Sequence, residues 1–92
     1  MYELIVNKKF KNDVIRMKSR GQEIEKLKSV ISILQNGEKL GKEYRDHKLN
    51  DTKEYKNVKA CHIAPDWILI YKVDKKKSNL YLIRTGTHSE VY

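Results

Sequence analysis

The chain has a single cysteine, Cys61, and a single proline, Pro65, and it lacks any long apolar segment. One cysteine excludes an internal disulfide, which fits a protein of the reducing cytoplasm. The longest apolar run, Trp67 to Tyr71, has five residues, whereas a membrane-spanning helix needs about 20. The opening segment, Met1 to Val6, is too short and wrongly charged for a signal peptide. We therefore expect no membrane partner.

Positive charge is what the sequence has in excess. Its 92 residues include 20 Lys and Arg against 12 Asp and Glu, a net charge of +8. The surplus is spread through both halves, so it is not a detachable basic tail. This length predicts a single domain over residues 1–92. The charge favours a polyanionic partner, with nucleic acid first, although a merely solubilising surface remains open.

The first half of the chain has the pattern of one strand followed by two amphipathic helices. Tyr2–Val6 predicts the strand, and Asn7 is a suitable N-cap for the helix after it. The apolar face of the first helix consists of Phe10, Val14, Ile15 and Met17, and Gly21 is placed to end that helix. Apolar residues at three- and four-residue steps predict a second helix, ending near Asn36-Gly37 and carrying Ile24, Leu27, Ile31 and Leu34. A break this short predicts an antiparallel helical hairpin.

The second half changes to the period-two pattern of strands. Glu38–Asn57 is polar and predicts a loop with a short edge strand around Tyr44 to His47. Strands are then predicted at Val58–Ala64, at Trp67–Val73 and at Leu80–Thr85, with Pro65 at a corner. We expect an α+β fold with an N-terminal strand, the helical hairpin and a mainly antiparallel meander sheet packed on the helices. The other sheet face should be uncovered.

Four ionisable residues should meet at one end of that uncovered face. They are His62, Asp66, Arg84 and His88. Histidine or a carboxylate can accept a proton near neutral pH, another histidine can donate one, and arginine can hold a phosphate. The alternative is that the histidines are ordinary surface residues and that the arginine pairs with Asp66.

Other kinds of site have weaker support. A metal site would use His62 and Asp66, but no further ligand pair accompanies them. Cys61 should point toward the helices as a packing residue and not as a nucleophile. Trp67 and Tyr92 could stack on bases, although Trp67 begins a buried strand and could serve packing alone.

Three sequence blocks resemble the YafQ-like branch of the RelE/ParE toxin superfamily. They are Asp46-His47-Lys48-Leu49, the segment from His62-Ile63-Ala64-Pro65-Asp66-Trp67 to Lys72, and Arg84-Thr85-Gly86-Thr87-His88-Ser89. The resemblance implies a microbial-ribonuclease-like fold and a toxin of a bacterial type II toxin–antitoxin pair. It implies cleavage of mRNA, typically in the ribosomal A site, with no cofactor or metal. It also implies a cognate antitoxin with an acidic or amphipathic segment that forms a hetero-oligomer with the toxin.

The resemblance also implies roles for individual residues. The acid and base positions correspond to His47, His62, Asp66 and His88, and the phosphate contact corresponds to Arg84. Substrate-side positions correspond to Trp67, Tyr92 and Lys59. Tyr92 stands where relatives often end in phenylalanine, and Lys59 stands where arginine is common, which keeps the charge but loses the planar fork.

Two alternative functions remain at this point. A gyrase-inhibiting toxin of the ParE type would share the scaffold without needing three histidines together. A basic RNA-binding module would bind RNA without cutting it. Mapping mRNA ends after incubation with translating ribosomes separates both from a ribonuclease.

Overall fold

The N-terminal segment folds as the sequence predicts. The computed structural model describes all residues from 1 to 92, beginning with strand β1 (Glu3–Val6) and helix α1 (Lys8–Ser19). The side chain of Asn7 caps α1 by accepting a hydrogen bond of 2.7 Å from the backbone N–H of Phe10. Gly21 follows the end of α1 with a φ of 85°, a conformation that glycine adopts without a steric penalty. Helix α2 (Ile24–Gln35) comes next.

The remaining strands join β1 in one five-stranded sheet. They are β2 (His47–Lys48), β3 (Lys59–Ala64), β4 (Trp67–Asp74) and β5 (Asn79–Gly86). Their order across the sheet is β1-β5-β4-β3-β2, with β1 parallel to β5 and every other pair antiparallel. A 3-10 turn (Lys42–Tyr44) precedes β2, and a short helix α3 (His88–Val91) follows β5. The α+β prediction is confirmed.

The main core lies between the sheet and the two long helices. Helix α1 packs on β5 and α2 packs on β3. Alternate residues of the strands point into this layer, including Cys61 and Ile63 of β3 as the alternation predicts. One predicted member of the layer is wrong: Ile15 is 66% exposed, because it lies to the side of the stripe formed by Phe10, Asp13 and Met17.

We call the opposite side of the sheet the second face. The sequence suggested that this face is uncovered, but the structure shows that part of it is covered. It carries a smaller apolar cluster consisting of Tyr55, Val58, Ala60, Ile68, Ile70 and Val91. Tyr55 comes from the long polar loop and Val91 from α3, and the Tyr55 hydroxyl donates a hydrogen bond to the Val91 carbonyl oxygen. Apolar side chains of a central strand need a cover on both faces, and here the loop and α3 provide it.

No helix of the structure is both long enough and apolar enough to span a membrane.

Candidate active site

The strand register brings three of the predicted site residues onto the second face. His47 of β2 pairs with Ala60, Ala60 pairs with Ile70, and Ile70 pairs with Arg84. The adjacent row runs from His62 through Ile68 to Gly86. Because paired residues project to the same side of a sheet, His47 and His62 share the second face with the small apolar cluster.

The side chains in these two rows are separated by apolar residues. Neighbouring strands lie about 4.8 Å apart, so the Cα atoms of His47 and Arg84 are about 14 Å apart across the sheet. His62 is about 10 Å from Gly86 by the same measure. No hydrogen bond joins any two of the three imidazoles. The residues therefore form the rim of a surface on which a substrate would connect them, not a preassembled triad.

His47 is held in one tautomer by its own loop. Its Nδ1 lies 2.7 Å from the carbonyl oxygen of Arg45, a residue with a φ of 47° at the end of the 3-10 turn. A carbonyl oxygen can only accept a hydrogen bond, so Nδ1 carries the proton. In the neutral ring Nε2 is then a free acceptor, which is the state that a general base requires.

Asp66 and His88 meet where β4 begins and β5 ends, as the sequence predicts. The backbone N–H of His88 donates a hydrogen bond of 3.1 Å to Asp66 Oδ1. The His88 ring packs edge-on against Tyr92 with a centroid distance of 4.5 Å. Tyr92 is 47% exposed, so its ring is available to a substrate. His88 is also exposed, and its ring nitrogens are free to donate a proton.

Arg84 does not pair with Asp66, nor is it a free cation. Its Nε and Nη2 donate hydrogen bonds of 2.6 and 3.1 Å to the two carboxylate oxygens of Asp13 on α1. Asp13 is 2% exposed and also accepts a hydrogen bond from the backbone N–H of Thr85. Burial raises the pKa of Asp13. The hydrogen bonds from Arg84, Thr85 and Arg16 lower this pKa by more than burial raises it, so the net shift is downward. Arg84 therefore has a fixed orientation and a compensated charge.

Of two further residues assigned to the substrate side from sequence, Trp67 is buried and Lys59 lies on the main-core side of the sheet. Trp67 has no exposed surface, and its indole N–H donates a hydrogen bond of 2.8 Å to the Thr85 hydroxyl in the main core. Its ring cannot stack on a base here. Lys59 projects from the face opposite His62, because it precedes Ala60 on the same strand, and it forms an ion pair of 2.8 Å with Asp46. Trp67 therefore serves packing, whereas the substrate contact of Lys59 stays a prediction.

A groove of about 590 Å³ adjoins His62. It lies along the part of β3 beyond its pairing with β2, between the 3-10 turn and α2. Its wall includes the cationic side chains Lys26 and Arg45 and one acidic residue, Glu43. A groove with this charge next to an imidazole suits a segment of nucleic acid backbone.

The residues do not fit a resident metal ion. No group of three His, Cys, Asp or Glu side chains is close enough together to hold one. Asp66 already accepts a hydrogen bond from a backbone N–H. Cys61 is fully buried, and burial raises the pKa of its thiol to about 12, so it is neither a thiolate ligand nor a nucleophile.

The sequence interpretation missed four residues whose side chains hold other residues of the site or its surroundings in position. Asp13 fixes Arg84, and Glu90 accepts hydrogen bonds from Arg20, just beyond the end of α1. Asp46 holds Lys59 and accepts a hydrogen bond from the Tyr71 hydroxyl, and Tyr55 bonds to α3. One signal was present for Asp13, which occupies the apolar stripe of α1 between Phe10 and Met17.

Comparisons with known proteins point to one family. Residues 2–92 match the family described as a bacterial toxin of a type II toxin–antitoxin system, YafQ. The chain is 37% identical over 84 residues to the mRNA interferase toxin YafQ of Escherichia coli strain B / BL21-DE3, covering 90% of this chain and 87% of that protein.

Two solved structures have the same fold. A metal-bound toxin from Helicobacter pylori is 32% identical, with a TM-score of 0.90 and coverage of 100% of both chains. A chain of the E. coli DinJ-YafQ complex is 33% identical, with a TM-score of 0.88 and coverage of 100% of this chain and 99% of that one.

Proposed function

Since this chain belongs to the YafQ family of bacterial type II toxins and is an mRNA interferase, we propose that it cuts mRNA in the ribosomal A site without a metal ion. A base removes the proton of a 2′-hydroxyl, and the oxygen attacks the adjacent phosphorus. An acid protonates the departing 5′-oxygen. The products are a 2′,3′-cyclic phosphate and a free 5′-hydroxyl.

The observation that carries this proposal is the arrangement of His47, His62, Asp66 and His88 along one face and one end of the sheet. His88 is the proton donor in this proposal, because its ring is exposed and rests against Tyr92. The proton acceptor in this proposal is one of the two histidines of the second face, His47 or His62. The free Nε2 of His47 makes it one candidate for the base, and His62, which lies one strand nearer to β5, is the other. Asp66 orients the backbone of His88.

Arg84 stabilises the negative charge that develops on the phosphoryl oxygens. Asp13 accepts hydrogen bonds from its Nε and Nη2, and in this proposal the phosphate contacts Nη1. An arginine held in one orientation costs little reorganisation when charge appears, which is the condition for efficient electrostatic stabilisation. Tyr92 supplies an exposed ring for stacking on a base.

The partners follow from charge and family. A net charge of +8 favours mRNA and the ribosome as partners, and we propose the bacterial cytoplasm as the location of the protein. We also propose a cognate antitoxin with an acidic or amphipathic segment, bound in a toxin–antitoxin hetero-oligomer. The related E. coli toxin has been solved together with DinJ, which supports a partner of this kind.

Family membership disfavours both the gyrase-inhibiting alternative and RNA binding without cleavage. Primer extension on an mRNA in a translation reaction separates them. We expect new 5′ ends within codons with the wild-type protein and none with His88→Ala. Equal cleavage by His88→Ala would remove His88 from the mechanism. An unchanged mRNA with the wild-type protein would leave only a binding function.

A further inference from the structure

Helix α3 carries the proposed proton donor but is too short to be stable alone. It has four residues, His88–Val91, whereas isolated helices below about 12 residues are marginal in water. The position of His88 therefore depends on what fixes α3 to the rest of the molecule.

Contacts on the inner side fix only part of α3. Val91 is 2% exposed in the small apolar cluster, and its carbonyl oxygen accepts a hydrogen bond from Tyr55. The backbone of His88 is bonded to Asp66. These contacts hold the inner side of the helix onto the sheet and do not involve its outer side.

Glu90 supplies the fixation on the outer side. Arg20, just beyond the end of α1, holds both of its carboxylate oxygens, at 2.8 and 2.7 Å. Arg16 adds a third ionic contact of 3.0 Å. The same carboxylate caps α3 by accepting hydrogen bonds of 3.0 and 2.9 Å from the backbone N–H and hydroxyl of Thr87. A bidentate pair of this kind fixes direction as well as distance.

The same set of charges continues to the phosphate-binding arginine. Arg16 also donates a hydrogen bond of 2.7 Å to Asp13, which in turn holds Arg84. One set of ion pairs along α1 thus contacts both Glu90 of α3 and Arg84, the residue proposed to hold phosphate. Helix α1 contributes no residue to the proposed chemistry itself, so these contacts serve orientation.

We propose that Arg20, acting through Glu90, is a positioning residue for His88. The inference rests on the proposed function, in which His88 donates a proton to the leaving oxygen. A displacement of about 1 Å at a reacting group can cost about 100-fold in rate. Loss of the Arg20–Glu90 pair should therefore reduce the rate of the chemical step while leaving RNA affinity and folding nearly unchanged.

Single-turnover cleavage with four variants tests this. We expect Arg20→Ala to lower the rate constant by about 10- to 100-fold, with the half-saturating RNA concentration changed by less than about twofold. Glu90→Gln should give a similar loss, and Arg20→Lys should restore part of the rate, because lysine keeps the charge without the fork. The control is Lys28→Ala. It removes an exposed cation that pairs with Glu25 on its own helix, so this variant should cleave as the wild type does.

A double variant separates positioning from direct RNA contact. Arg20→Ala in a His88→Ala background should cause no further loss, because Arg20 acts only through His88. The melting temperature should fall by no more than about 5 °C in Arg20→Ala, since the pair is partly exposed.

Three results would overturn the inference. An equal further loss in the double variant, or a loss confined to RNA affinity, would identify Arg20 as an RNA contact. A wild-type rate in Arg20→Ala alongside a slow His88→Ala would refute positioning while the proposed function stands. A wild-type rate in His88→Ala would instead refute the proposed function.

Discussion

The buried carboxylate of Asp13 offers the sharpest test of how the fold supports the proposed site. Replacing it by asparagine keeps the shape but removes the charge that Arg84 and Arg16 contact. Removing one partner of a buried ion pair costs about 3–5 kcal/mol. The Arg84 side chain keeps 16% of its exposure and can turn partly to water, so we expect the low end, about 3 kcal/mol. For a domain of this size that corresponds to a fall in melting temperature of about 12–24 °C.

Urea denaturation at two pH values measures this loss. The pKa of Asp13 is lower in the folded protein than its ordinary value of 3.8. The stabilisation by the charged carboxylate is therefore fully present above pH 3.8. It is lost as the pH falls through the lower pKa of the folded state. The difference in the free energy of unfolding between wild type and Asp13→Asn should therefore be full at pH 7 and shrink below about pH 4. Glu25→Gln is the matched control, because its pair with Lys28 is exposed and contributes about 0.5 kcal/mol or less. A loss below about 1 kcal/mol at pH 7 in Asp13→Asn would refute the reasoning.

The remaining predictions concern folding, the site and the antitoxin. Cys61→Ser should lower the free energy of unfolding by about 1–3 kcal/mol, because it buries a hydroxyl at a fully enclosed position; unchanged denaturation would contradict that enclosure. His62→Ala and His88→Ala should each slow single-turnover cleavage by about 10²–10⁴-fold with nearly unchanged melting temperatures; unfolding of both would make these histidines structural. The antitoxin complex should survive raised salt on size exclusion, because an amphipathic segment adds apolar anchors to charge pairs, whereas bare RNA binding should weaken steeply. Separation of the two proteins at raised salt would show that the complex is purely electrostatic.

The fold could be predicted from local patterns because the sequence marks its element boundaries clearly. Asn7 as an N-cap, Gly21 after α1 and the change from a helical period to a period of two each act within a few residues of chain. The cover of the second face could not be predicted this way. Tyr55 lies in a polar loop without periodicity, and only the folded structure brings it against Val91.

The sequence pattern predicted which elements carry the histidines of the candidate site. It did not predict the residues that hold neighbouring side chains in position. The period-two alternation of β3 already places Lys59 on the same face as Cys61, away from His62. Trp67 likewise begins an apolar run that fits a strand buried on both faces, and the structure confirms packing. The pairing of Arg84 with Asp13 joins residues 71 positions apart, so no local pattern could have specified it.

The most direct test of the proposed mechanism is cleavage of an RNA with a single 2′-deoxy nucleotide at the cut site. The account requires that hydroxyl as the nucleophile, so substitution should abolish cleavage while binding falls little. The unmodified RNA, cleaved in parallel, should give a cyclic phosphate on the 3′ end of the upstream product and a free 5′-hydroxyl on the downstream one. Cleavage of the 2′-deoxy RNA at an undiminished rate would contradict the mechanism, because the nucleophile would then have to come from water.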